Sequence, residues 1–183
     1  NKLKPRFVKA GVMLQRGIQP NITYTWFNME DPVVGGYTTE KVALRRAIGM
    51  AYNVDEEAKV IRQGQAEWAS QLVPPGVTGH DPTFVGNTKY DPVAAKALLD
   101  RFGYVDRDKD GWRDLPDGKP FTVVMASTPT GRDRERDELW KKNMTALGIR
   151  IDFLKQKWPD LLRMGRAGQL QMWPVGWINT YGE

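Results

Sequence analysis

The residues with the clearest chemical spacing are six aspartates and glycines in one short stretch. Asp106, Asp108, Asp110, Gly111, Asp114 and Asp117 occupy positions one, three, five, six, nine and twelve of residues 106–117. Carboxylates at that spacing, with a backbone carbonyl from position seven (here Trp112), can surround a calcium ion. Two features weaken the match. Position twelve is Asp rather than the longer, bidentate Glu, and Arg107, Lys109 and Arg113 stand among the acids and dilute their field. The same residues also suit a solvated turn in which Asp side chains cap their own backbone. That turn is the reading adopted here, with a calcium-binding interaction module using the 106–117 loop as the alternative.

Other chemistry has little to draw on. The chain has no cysteine, which excludes disulfides, thiol nucleophiles and cysteine-ligated metals. Its one histidine, His80, lies in a Gly-His-Asp-Pro turn. A Ser-His-Asp triad would have to use it, and no Gly-x-Ser-x-Gly elbow is present. No His-x-x-x-His spacing offers zinc, and no glycine-rich phosphate loop follows a strand. The sequence therefore predicts a binding protein rather than an enzyme, with no cofactor and no catalytic residue.

Binding surface is better supplied. Of seven tryptophans, Trp140 falls on a helical stripe with Met144 and Leu147 and is expected in the core, and Trp26 lies in a strand. Trp158, Trp173 and Trp177 crowd the start of the last helix and the exit of the last strand. Buried aromatic surface at such an edge serves either packing or a ligand. Ligands in open α/β folds bind beyond the carboxyl ends of strands, and Trp177 stands at such an end.

These residues need elements to place them. Phe7 to Leu14 is expected as a strand, and Ile22 to Asn28, aromatic and threonine-rich, as another. Thr38 caps a helix carrying Leu44, Ala47, Ile48 and Ala51. Asp55 is expected to cap a short second helix ending at Gly64. Residues 65–90 hold Pro74-Pro75-Gly76, Gly79, Asp81-Pro82 and Gly86 and read as a long loop, a length that usually serves function or a partner. Asp91-Pro92 opens a helix with the stripe Ala95, Leu98, Leu99 and Phe102. Phe121 to Ser127 is a strand. Thr130 and Asp133 resemble a capping box, and the charged helix after them runs to Gly148. Residues 149–155 alternate as a strand. Strand, helix and strand make a βαβ unit, which predicts parallel pairing and a right-handed crossover. The fold class is α/β, a mixed sheet with flanking helices.

Composition narrows the partners. The 27 basic and 22 acidic residues give a net charge of +5 over 183 residues, but the signs are interleaved, as in Arg132-Asp-Arg-Glu-Arg-Asp-Glu138. A nucleic-acid face clusters its charge, so no nucleic-acid partner is expected and residues 132–138 read as a solvated helix face. No apolar run approaches the roughly 20 residues of a membrane span.

Taken together, several short motifs resemble one family in their order and spacing. They are Tyr24-Thr-Trp-Phe-Asn28, Val42-Ala-Leu-Arg-Arg-Ala-Ile48 running to Ala51-Tyr-Asn53, Val73-Pro-Pro-Gly76, and Tyr90-Asp-Pro92 with Ala95-Lys-Ala-Leu-Leu99. Gly103-Tyr104, Asp117-Gly118-Lys119-Pro120, Leu147-Gly148-Ile149 and the unit from Trp158 to Trp177 complete the set. The chain resembles extracellular solute-binding proteins of the dipeptide/oligopeptide/nickel class (family 5), the receptor components of ABC importers. The resemblance implies a type II-like two-lobed clamp of which residues 1–183 form the second lobe, with the rest of the clamp absent at both ends. It also implies a periplasmic or extracellular monomer that meets the membrane through ABC permease subunits. Its ligand would be a peptide-like or other small polar or amphipathic solute. Trp158, Trp173 and Trp177 would wall the site, and Asn179, Thr180 and Tyr181 would supply neutral hydrogen bonds.

Two departures from the family are visible. Peptide-binding members carry an Asp-Tyr pair after the tryptophan matched by Trp177, the Asp holding the peptide's free amino group. Thr180 and Tyr181 stand there. Arginines that meet the peptide carboxylate in the oligopeptide branch fall near Gly165 and Pro174, and neither is basic, although Arg166 is adjacent.

Overall fold

The computed structural model describes residues 3–15, 17–86 and 88–178. Pro5 at the first turn starts a short helix, α1 (Pro5–Lys9). The strand expected over 7–14 is therefore not formed. No strand among the described residues pairs with this segment, and Phe7, Val8, Val12, Met13 and Leu14 are exposed, so nothing supports extended pairing there.

The first strand, β1 (Asn21–Phe27), follows. Asp31 organises the turn after it: its Oδ1 accepts hydrogen bonds from the backbone N–H groups of Val33 and Val34 at 2.7 and 2.9 Å. Both Asp31 oxygens also accept from Gln171 Nε2 at 3.1 Å, while Gln171 Oε1 accepts from the Val124 N–H at 2.6 Å. Three distant segments are thereby tied together. The turn is tight enough to demand glycine at 35, where a Cβ would lie 2.5 Å from the carbonyl oxygens of Asp31 and Met29.

Helix α2 (Thr39–Ala51) buries Leu44, Ala47 and Ile48, as its periodicity predicts. The next cap differs from expectation. Asn53, not Asp55, accepts the N–H of Glu56 and opens α3 (Val54–Glu56), which continues into one π-helical turn, Glu57–Ile61. Asn53 is held in that place because its own N–H donates to Asn143 Oδ1 at 2.7 Å. Residues 65–90 carry no helix or strand among those described. Asp91 caps α4 (Pro92–Arg101) through the Ala94 N–H at 2.9 Å.

The remaining elements are β2 (Thr122–Ser127), α5 (Gly131–Leu147), β3 (Arg150–Lys155), α6 (Trp158–Arg166) and β4 (Met172–Ile178). The sheet order is β1-β4-β2-β3. The pair β2–β3 is parallel, as the βαβ reading requires; β2–β4 is also parallel and β1–β4 antiparallel. The mixed sheet separates two apolar layers. On one side Val123 and Met125 of β2 meet Leu44, Ile48, Leu99, Tyr104 and Met144 from α2, α4, α5 and the segment after α4. On the other, Ala126 meets Leu161 of α6, Leu170 and Trp173. Alternate residues of β2 thus serve both layers, as the two-residue period of a strand dictates. No helix is long and apolar enough to cross a membrane among the described residues.

Candidate functional site

The sheet order creates the site. From β2 the chain crosses to β3 on one side, and from β3 it returns past β2 to β4 on the other. Connections that leave neighbouring parallel strands in opposite directions open a crevice beyond the carboxyl ends of those strands. β2 stops at Ser127, whereas β4 continues to Ile178 paired only with β1. The step between their ends is a crevice of about 520 Å³.

Its apolar wall is made of tryptophan. Trp158, half exposed, opens α6, and its ring lies 4.9 Å from that of Trp173, which is buried. Trp173 also meets Trp26 edge-on at 6.4 Å, its partner in the β1–β4 register. Gly165 makes room for this arrangement, because a Cβ there would approach Trp173 Cζ3 to 3.1 Å. The absence of an arginine at 165 thus has a local steric reason: the ring fills the space a side chain would use. Trp177 stands farther along β4, 62% exposed and opposite Ile22, outside the described lining of the crevice. Asn179, Thr180 and Tyr181 lie outside the described residues.

The polar wall was missed by the sequence reading. Thr128, Thr130, Asp133 and Arg136 line it, with Arg132 and Arg62. Thr130 caps α5, accepting the Asp133 N–H at 3.2 Å as expected. The Asp133 carboxylate accepts from the Thr130 hydroxyl at 2.8 Å, from the Thr128 hydroxyl and from the Arg136 guanidinium. Burial opposes its charge, but these donors outweigh that effect and hold the carboxyl below its ordinary pKa. Behind the wall, buried Asp137 accepts from Ser127 Oγ at 2.7 Å and pairs with Lys155 at 3.2 Å. There burial wins and raises the pKa. Arg62 pairs with Glu57 at 2.7 Å, and Glu57 accepts from the Tyr52 hydroxyl at 2.7 Å. A signal was available in the sequence: the Thr130–Asp133 box begins a helix at the carboxyl end of a parallel strand, where open α/β folds bind ligands.

The aspartate loop forms as a self-capped turn. Single carboxylate oxygens of Asp106, Asp108 and Asp110 lie within 4.8 Å of one another, all on exposed residues. Each already serves the backbone: Asp106 accepts from the Gly111 N–H at 2.9 Å, Asp108 from Asp110 at 3.2 Å, and Asp110 from Trp112 at 2.9 Å. Asp110 is further held by Arg150, whose guanidinium also covers the Trp112 ring at 5.5 Å. Asp114 and Asp117 are not part of the group. Asp114 is buried and accepts from the Arg107 N–H at 3.1 Å, and Asp117 pairs with Lys119 at 2.9 Å. Calorimetric titration with calcium is therefore expected to show no site with a dissociation constant at or below about 10 μM, the sensor range. A saturable site of that affinity would overturn the structural-turn reading.

Comparison with known proteins places this geometry in a family. The profile of bacterial extracellular solute-binding proteins, family 5 middle, matches residues 2–183. The di/tripeptide-binding protein 2 of Pseudomonas aeruginosa is 29% identical over 140 residues, 76% of this chain and 24% of its own length. Among solved structures, the oligopeptide-binding protein of Bacillus subtilis in complex with a nonapeptide superposes with a TM-score of 0.79 at 18% identity, covering 91% of this chain and 33% of that one. The mannohexaose-bound periplasmic oligopeptide-binding protein of Thermotoga maritima gives 0.72 at 20%, covering 90% and 31%. The chain spans about a quarter of the curated relative's length. It belongs to the family 5 bacterial extracellular solute-binding proteins, a family of binding proteins and not of enzymes.

Proposed function

We propose that this family 5 chain forms one lobe of the receptor of an ABC importer and captures a peptide-like solute for transport across the membrane. The observation that carries the reading is the crevice at the ends of β2 and β4, with Trp158 and Trp173 on one wall and hydroxyls and charges on the other. A small-molecule site has that make-up: an apolar surface to bury, and a few placed polar groups to orient the ligand. Half a clamp leaves solute exposed, so a second lobe closes over the crevice in the complete receptor. Trp177, Asn179, Thr180 and Tyr181 continue β4 toward that closure and add an aromatic face and neutral hydrogen bonds. The receptor works as a periplasmic or extracellular monomer and meets the membrane through its permease subunits. The di- and tripeptide name of the relative and the nonapeptide of its structural neighbour favour peptides as the first solutes to try.

The test is isothermal titration of the complete receptor with a panel of di- and tripeptides. Binding of at least one with a dissociation constant in the micromolar range or below is expected. Trp158→Ala is expected to weaken it about tenfold or more, equivalent to about 1.4 kcal/mol, while leaving the fold intact because Trp158 is half exposed. A Trp158→Ala receptor with the parent's affinity would remove the crevice from the site.

A further inference from the structure

The crevice wall carries more positive charge than its protein partners use. Three guanidinium groups line it, those of Arg62, Arg132 and Arg136, against one carboxylate, that of Asp133. Asp133 is already fully engaged by two hydroxyls and Arg136. Arg62 is matched by Glu57, which stands behind it. Arg136 has only 13% of its side chain exposed, and its Nε–H is buried with no acceptor among the described residues. Arg132, one turn earlier and exposed, has no hydrogen bond or ion pair among them. Two guanidinium groups four residues apart on one helix face therefore present unused donors to a concavity with an indole wall.

We propose that this wall is an anion subsite: Arg132 and Arg136 take a carboxylate of the solute, and the apolar group beside that carboxylate lies on Trp158 and Trp173. A guanidinium is planar and always charged, and its paired N–H groups match a carboxylate's two oxygens. The tryptophan wall favours an apolar or aromatic residue next to the anion. The proposal rests on the crevice being the solute site, and it names what that site selects: solutes held by their acidic end. It also bears on the missing arginines near 165 and 174, since the charge is supplied from α5 instead.

The experiment uses the complete receptor and three probes: the dipeptide Ala-Phe, its C-terminal amide, and the amide of Ala-Glu-Phe, which keeps a carboxylate only on a side chain. Ala-Phe is expected to bind about tenfold or more tighter than its amide. Arg132→Gln is expected to bring that ratio close to one without changing the melting temperature of the unliganded protein, because Arg132 has no protein partner to lose. Arg136→Gln should act in the same direction, and Arg132→Gln decides the matter if the Arg136 variant is unstable. A parent receptor that binds acid and amide alike, or an Arg132→Gln receptor that keeps the parent's ratio, overturns the anion subsite and leaves the receptor function standing. Failure to bind any of the three probes overturns both. Amidated Ala-Glu-Phe binding as well as Ala-Phe, with the same loss in Arg132→Gln, assigns the subsite to acidic side chains; weak binding assigns it to chain ends.

Discussion

Replacing Trp140 by alanine is expected to destabilise the protein by about 3–5 kcal/mol, the range for removing a large buried aromatic. Trp140 is 3% exposed and its ring stacks on Tyr52 at 4.0 Å, nearly parallel. Tyr52 in turn donates to Glu57, which holds Arg62 at the crevice. The loss should appear as a lower urea midpoint at unchanged slope. Trp177→Ala provides the contrast. Trp177 is 62% exposed, so its removal should change stability by no more than about 0.5 kcal/mol, and any effect should fall on solute binding. Equal midpoint shifts for the two variants would show that Trp177 is a packing residue and would withdraw it from the proposed site.

Thr180→Asp is expected to turn the receptor toward solutes with a free amino group. An ammonium removed from water without a charged partner costs several kcal/mol. A threonine hydroxyl can accept a hydrogen bond but cannot neutralise that charge. In the parent receptor, N-acetylation of a bound peptide should therefore cost little or improve affinity. In the Asp variant the free amine should be preferred by about ten- to a hundredfold, the worth of a charge-assisted hydrogen bond of about 1.5–3 kcal/mol. Thermal-shift measurements on free and acetylated forms of one peptide compare the two proteins directly. A parent that already prefers the free amine, or an Asp variant with the parent's preference, would defeat the argument. Together with the Arg132 experiment this separates the two ends of the solute. One end is read by charge supplied from α5, and the other meets a site without a carboxylate at 180.

Much of the architecture is local and was legible. Asp91-Pro92 begins a helix because the Asp side chain takes an orphan N–H and proline needs none. Thr130 does the same for α5, and the Trp140, Met144 and Leu147 stripe buries as its period requires. The misreadings are equally physical. Phe7 to Leu14 has strand-forming residues but no partner strand among those described, and a strand alone has no hydrogen bonds to make. Arg113, read only as a charge diluting the aspartate loop, donates from Nε to the Leu147 carbonyl at 2.8 Å, and its guanidinium also reaches Tyr104 and Asp100. No spacing in the sequence announces a contact across 34 positions.

The same division runs through the site. Caps, glycine stops and hydrophobic periods belong to neighbouring residues, so the sequence by itself determined the helices, the βαβ unit and the α/β class. It also determined that no thiol or His-pair chemistry is available. Which strand lies beside which was decided only by the tertiary structure. The register that sets Trp26 against Trp173 joins residues 147 apart, and long-range pairing of that kind depends on how all the elements bury their apolar faces at once. Residues 132–138 show the consequence. Alternating charges alone describe a solvated face, and Arg134, Glu135 and Glu138 are exposed. Once α5 packs on the sheet with its first turn at the end of β2, Asp137 is buried and Asp133 and Arg136 become the wall of a crevice. The sign of each charge is written in the chain, but whether it faces water or a ligand follows from which side of the helix the sheet covers.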